Sequence, residues 1–161
     1  MKTICQNAIV MFLTLLMVNA CDSSNRNLSG KQLEDYQGNL HETEYFNITI
    51  AEGFNTLEIQ GGVQASRGRD AMEVWVRGHN LNESTAENQA KTLARNYYGS
   101  EPEVVQMLDL TFYCTSFEAY NLPQTICTAI KEGMQVQVGI TGKNHAENAK
   151  LQGMVKSISM K

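Results

Sequence analysis

Few side chains in this sequence could do chemistry: four cysteines, three histidines, one tryptophan, and carboxylates and hydroxyls spread along 161 residues. A reactive cysteine needs a neighbour that lowers its pKa, because the thiolate is the nucleophile; a Cys-x-x-Cys pair or an adjacent histidine supplies that. Cys114 and Cys127 are thirteen positions apart with no histidine near them in sequence. That spacing is wrong for a catalytic pair; in a chain exported to an oxidising space the two would form a structural disulfide that constrains the unfolded chain by about 3 kcal/mol. His41, His79 and His145 lack a second histidine at i+4 or a nearby thiol pair, so no metal site is expected and they read as exposed loop residues. Gly61, Gly62 and Gly68 precede a strand pattern and no Gly-Lys-Ser/Thr follows, so nothing supports a phosphate-cradling loop; no Gly-x-Ser-x-Gly elbow occurs either. Glu73 and Asp109 read as solvated carboxylates on separate strands, and Met72, Met107, Met134 and Met154 as core rather than as a soft-metal site. The expectation is a chain that is not an enzyme and has no cofactor.

These residues must be positioned by alternating segments. Phe46, Ile48 and Ile50 alternate with Tyr45, Asn47 and Thr49; Leu57 and Ile59 flank Glu58; Met72, Val74 and Val76 alternate with Glu73, Trp75 and Arg77. Period two predicts three strands. Ser84-Thr85-Ala86-Glu87 fits a capping box, and Ala86, Ala90, Leu93, Ala94 and Tyr97 form a helical stripe ending at Gly99. Residues 104–113 alternate as one further strand. Pro123 suits the first turn of a short helix reaching Lys131, which the disulfide would pin to the end of the preceding strand. Met134, Val136, Val138 and Ile140 alternate again. Leu151, Met154, Val155 and Ile158 have helical spacing, but Gly153 and the turn at Gly142 to Asn144 favour a closing strand. The predicted order is β-β-β-α-β-α-β-β: an α+β domain over 44–161, with a mostly antiparallel sheet of five or six strands covered on one face by two helices.

The net charge of −4, from 13 basic and 17 acidic residues, lacks the positive field that phosphate backbones require, so nucleic acid is not an expected partner. A composition with 42% hydrophobic residues is that of an ordered globular domain. At the N-terminus, Lys2 is followed by the apolar run from Ala8 to Val18 and then by Ala20 and Cys21. That is a secretory leader, too short for a comfortable membrane span. Val18-Asn19-Ala20-Cys21 resembles the lipobox of bacterial lipoproteins, in which a peptidase cuts before a cysteine that carries diacylglycerol. The resemblance implies a leader at 1–20, acylation at Cys21 and a domain held on a cell-envelope membrane through that lipid, periplasmic or surface-facing, with no transmembrane helix. Asp22 follows the lipid position, as in lipoproteins retained at an inner membrane. Residues 21–43 are polar and aperiodic and read as a flexible tether.

If the apolar phase of every strand faces the helices, the opposite phase gathers Tyr45, Trp75, Arg77 and Tyr113 on one surface with Asn47, Glu73 and Gln137. Trp, Tyr and Arg dominate binding hot spots because each joins a large apolar body to a hydrogen-bonding end. This face is expected to bind another envelope component, protein or glycan, as a binding or assembly factor. The alternatives are a structural surface lipoprotein without a specific ligand and an envelope hydrolase whose site converges only in the fold. Val74-Trp75-Val76-Arg77-Gly78-His79, with the alanine-rich helix and the strand from Val104 after it, resembles the strand, glycine, helix, strand core of BON domains of envelope proteins. Gly78-His79 followed by Asn88-Gln89 is similar to part of OmpA-like peptidoglycan-binding domains, but Leu81 and Asn82 stand where their aspartate region would lie.

Overall fold

Two-residue turns set the architecture of the second half of the chain. A computed structural model describes residues 37–161; the expected leader at 1–20, the expected acylation at Cys21 and the expected tether as far as residue 36 fall outside the described residues. The elements run β1 (Gly38–Glu42), β2 (Phe46–Ala51), β3 (Asn55–Ile59), β4 (Gly62–Arg67), β5 (Asp70–Arg77), α1 (Glu83–Asn96), β6 (Glu103–Met107), β7 (Leu110–Ala119), β8 (Leu122–Lys131), β9 (Met134–Thr141), α2 (Ala149–Lys156) and β10 (Ser159–Met160). Leu108-Asp109, Tyr120-Asn121 and Glu132-Gly133 join β6 to β9 as successive hairpins, each with both turn residues at positive φ. That conformation matches the right-handed twist of paired strands.

All pairing is antiparallel, in a three-stranded sheet ordered β1-β2-β10 and a seven-stranded sheet ordered β3-β4-β5-β9-β8-β7-β6. Side chains of directly paired residues share a face, so the register assigns the faces. Val63, Val74, Val138 and Cys127 fall on one row of the inner face, and Gln64, Glu73, Gly139 and Ile126 on a row of the outer face. Phe46, Ile48 and Ile50 of β2, Leu151 and Met154 of α2, and Ile158 join the inner-face residues in one buried core. The outer face receives α1, which packs over β7 and β8 with Ala86, Ala90 and Ala94 buried. Alanine at these positions lets the helix lie close to the strands, and the Tyr97 ring stacks on Phe117 with centroids 4.7 Å apart.

Several expectations are corrected here. The domain is mostly β, with 52% of the described residues in strands and 18% in helices, and it has two sheets instead of one sheet of five or six strands. Its helices lie on opposite faces of the larger sheet, α1 outside and α2 in the core. The predicted helix from Pro123 to Lys131 is strand β8; Pro123 sits near the strand's start, where a missing N–H costs little. The single strand predicted over 104–113 is β6, a turn and the start of β7, because Leu108 and Asp109 take φ of 54° and 58°. The closing strand is α2 followed by the short β10; Asn148 Oδ1 caps the helix by accepting from the backbone N–H groups of Lys150 and Leu151. Helix α1 starts at Glu83 under an Asn82 cap, not at the Ser84 box. The last part of the expected tether, Gly38–Glu42, is paired with β2 as β1.

Candidate functional site

Strand β5 carries the site. Its alternation buries Met72, Val74 and Val76 and turns Glu73, Trp75 and Arg77 outward, onto the part of the outer face beyond α1. Trp75 is paired with Gly62 on β4 and with Gln137 on β9. A Cβ at Gly62 would lie 2.7 Å from the Trp75 Cβ and would meet the Val74 carbonyl, so only glycine admits the strands this close. The Arg77 guanidinium lies 4.6 Å from the indole centroid, and its Nε donates to the Gln60 carbonyl at 2.7 Å, which holds the cation over the ring. One strand position away, Glu73 leans over Gly139, where a Cβ would come within 2.9 Å of its Cγ, and accepts a hydrogen bond from Gln137 Nε2 at 3.1 Å. A shallow cavity of about 210 Å³ lies beside it, lined by Gln64, Glu73, Gln124 and Thr141. Leu57, 59% exposed, extends the same row toward the sheet edge. Gln135, paired with Arg77 across the sheet, is buried, and its Nε2 has no hydrogen-bond partner among the described residues.

Trp75 and Arg77 are thus brought together as expected from their spacing. Tyr113 shares their face of the sheet but belongs to the seam with α1: its hydroxyl donates to Glu83 Oε1 at 3.2 Å, and desolvation, then the Glu83 carboxylate, pushes its pKa above the ordinary phenol value. Two strands separate it from Trp75. Tyr45 is not on this surface. It precedes β2 in the other sheet and lines a cavity of about 240 Å³ with His41, Glu58 and Gly61. The single surface expected from strand phase is corrected accordingly: Asn47 also belongs to the smaller sheet, and Asp109, expected on a strand, sits in a turn.

Cys114 and Cys127 form a disulfide between directly paired residues of β7 and β8. Sequence reasoning missed a cluster beside it. His145 is buried rather than exposed: its Nδ1 lies 3.0 Å from the Gly142 carbonyl and its Nε2 lies 2.7 Å from Thr125 Oγ1, which in turn is 2.8 Å from Ser116 Oγ. The three residues are far apart in the chain, and only the β7–β8 register and the turn before α2 unite them. Among the described residues no group of three or more His, Cys, Asp or Glu side chains converges as a metal site, and no helix is long and apolar enough to cross a membrane.

Fold and surface together define a two-sheet antiparallel β domain with a helix on each side of its larger sheet and an Arg-capped tryptophan on the outer face. No family model matches the chain, and no curated protein matches its sequence. Solved structures do share the fold. A crystal structure of a Bacteroides thetaiotaomicron protein superposes with a TM-score of 0.52 at 10% identity, covering 78% of this chain and 49% of that one, so this chain spans about half its length. The solution structure of cyanobacterial PsbP (CyanoP) from Synechocystis superposes with a TM-score of 0.50 at 7% identity, covering 72% of this chain and 86% of the other.

Proposed function

We propose that this chain is a bacterial envelope lipoprotein, cleaved before Cys21 and acylated there, that acts without catalysis as a binding or assembly factor. The leader and the Val18-Asn19-Ala20-Cys21 sequence support the anchor, and a cross-strand disulfide suits export to an oxidising space. The binding surface is the outer face around β5. What carries this reading is the Trp75–Arg77 pair, held at 4.6 Å on the part of the sheet that α1 leaves uncovered. Hot-spot residues of this kind bind through desolvated aromatic area and a charge-assisted hydrogen bond together. One ring face is already taken by the guanidinium, which disfavours stacking of a sugar and favours a protein partner that offers a carboxylate to Arg77. The test is capture from envelope extract by wild type and by Trp75→Ala after both are shown to have the same unfolding midpoint. Loss of about 2 kcal/mol, a roughly thirtyfold weaker association, is expected. Equal capture by the two proteins overturns the reading.

A further inference from the structure

Opposite the tryptophan surface, on the inner face of the large sheet, the core is not closed. A cleft of about 350 Å³ runs between the β6–β7–β8–β9 part of the sheet and α2. Its floor is the Cys114–Cys127 bridge with Val138, and Val105, Met107, Ile140 and Val155 stay only partly buried along it. By register the cleft has two ends. Val105 and Met107 of β6 occupy one, and Glu103 stands on the disulfide row between the two; Ser116, Thr125 and Ile140 form the row beyond the disulfide at the other, with Ser100 beside Ser116.

The polarity of that end follows from the hydrogen bonds. A carbonyl cannot donate, so the contact with Gly142 O requires the proton of the neutral imidazole to be on Nδ1 of His145, and Nε2 is then an acceptor. Thr125 must spend its one hydroxyl proton on Nε2, so its Oγ1 accepts from Ser116. Ser116 has then used its own proton and can only accept from anything in the cleft. Glu103 adds a carboxylate with no ion-pair partner among the described residues, and no lysine or arginine lines the cleft. Ser100 keeps its hydroxyl proton and Gln152 one amide N–H beside the cleft, but the one charge among the lining residues is the Glu103 carboxylate.

We propose that this cleft binds a small single-chain amphiphile with a protonated amine as its head, the tail along Val105, Met107 and Val155 and the ammonium donating to Ser116 Oγ and Glu103. At the ~30 Å³ that a water-sized group occupies in a liquid, the volume holds on the order of ten heavy atoms. That admits one short alkyl chain and excludes a two-chain lipid. The tail gains from burial of apolar area and the head from a charge-assisted contact, so a change of head at constant tail isolates the second.

The test titrates octylamine, octan-1-ol and octanoate into the chain and follows the methyl resonances of Val105, Ile140 and Val155. Octylamine is expected to saturate these shifts at a concentration about fivefold or more below octanoate, with octanol between them. Glu103→Gln, at an exposed position, brings octylamine close to octanol. Thr125→Val frees the Ser116 proton to point into the cleft and strengthens octanoate binding; a melt on each variant confirms that it is folded. Equal affinities for octylamine and octanoate, shifts that never saturate, or a preference for the amine that survives both substitutions would overturn the proposal.

Discussion

Trp75 owes its position to the residue across from it. Any side chain at Gly62 would meet the Trp75 Cβ at 2.7 Å and the Val74 carbonyl, so β4 and β5 would have to part at the strand pair that presents the indole. Gly62→Ala is expected to destabilise the fold by about 1–3 kcal/mol, as overpacking does, and to shift the emission of the single tryptophan. A thermal melt and a fluorescence spectrum of the variant check this, and an unchanged midpoint with unchanged emission contradicts the close approach. The Gly61-Gly62 pair was legible as a turn between strands; the demand that β5 places on Gly62 was not, since it depends on a residue thirteen positions later. His145 shows the same limit from the other side. Its place after the turn at Gly142 to Asn144 suggests exposure, while its ring is held by Thr125 and Gly142.

Among the elements, the hairpin formed by β7 and β8 has a covalent lock. Cys114 and Cys127 face one another directly, so the bridge closes a loop of about fifteen residues and limits the unfolded chain by about 3 kcal/mol. Replacement of both cysteines by serine is expected to lower unfolding stability by about 2–3 kcal/mol, read as a lower denaturant midpoint. Reductant should bring wild type to the same midpoint; a wild type indifferent to reductant shows that the bridge contributes nothing. Alternation identified β2, β5 and β9, and the alanine stripe identified α1, because those signals are local and strong. Pro123 misled because a proline that opens a helix and one that opens a strand have the same fixed φ. The strand over 104–113 was read as one piece because Leu108 and Asp109 carry no glycine to announce positive φ. For α2 a signal was present: Asn148 stands where an N-cap belongs, before the helical spacing of Leu151, Met154 and Val155.

For the molecule as a whole, the proposed anchor and the proposed partner surface are separable. Cys21→Ser is expected to move the protein from the membrane fraction to the soluble one while leaving the fold of the domain and capture through Trp75 intact. Detergent-phase partitioning and intact mass check it, and a wild-type chain that carries no added lipid mass at Cys21 sinks the anchor. What the sequence by itself determined is what short-range physics encodes: the alternating phases, the alanine face of α1 and the apolar run before Cys21. Only the tertiary structure decided that β2 leaves the large sheet for a second one, which removes Tyr45 from the Trp75 surface, and that α2 fills the core while α1 lies outside. Sheet membership and the choice of face are set by pairings between distant strands, and period two alone is blind to both, since the same alternation satisfies either sheet and either side.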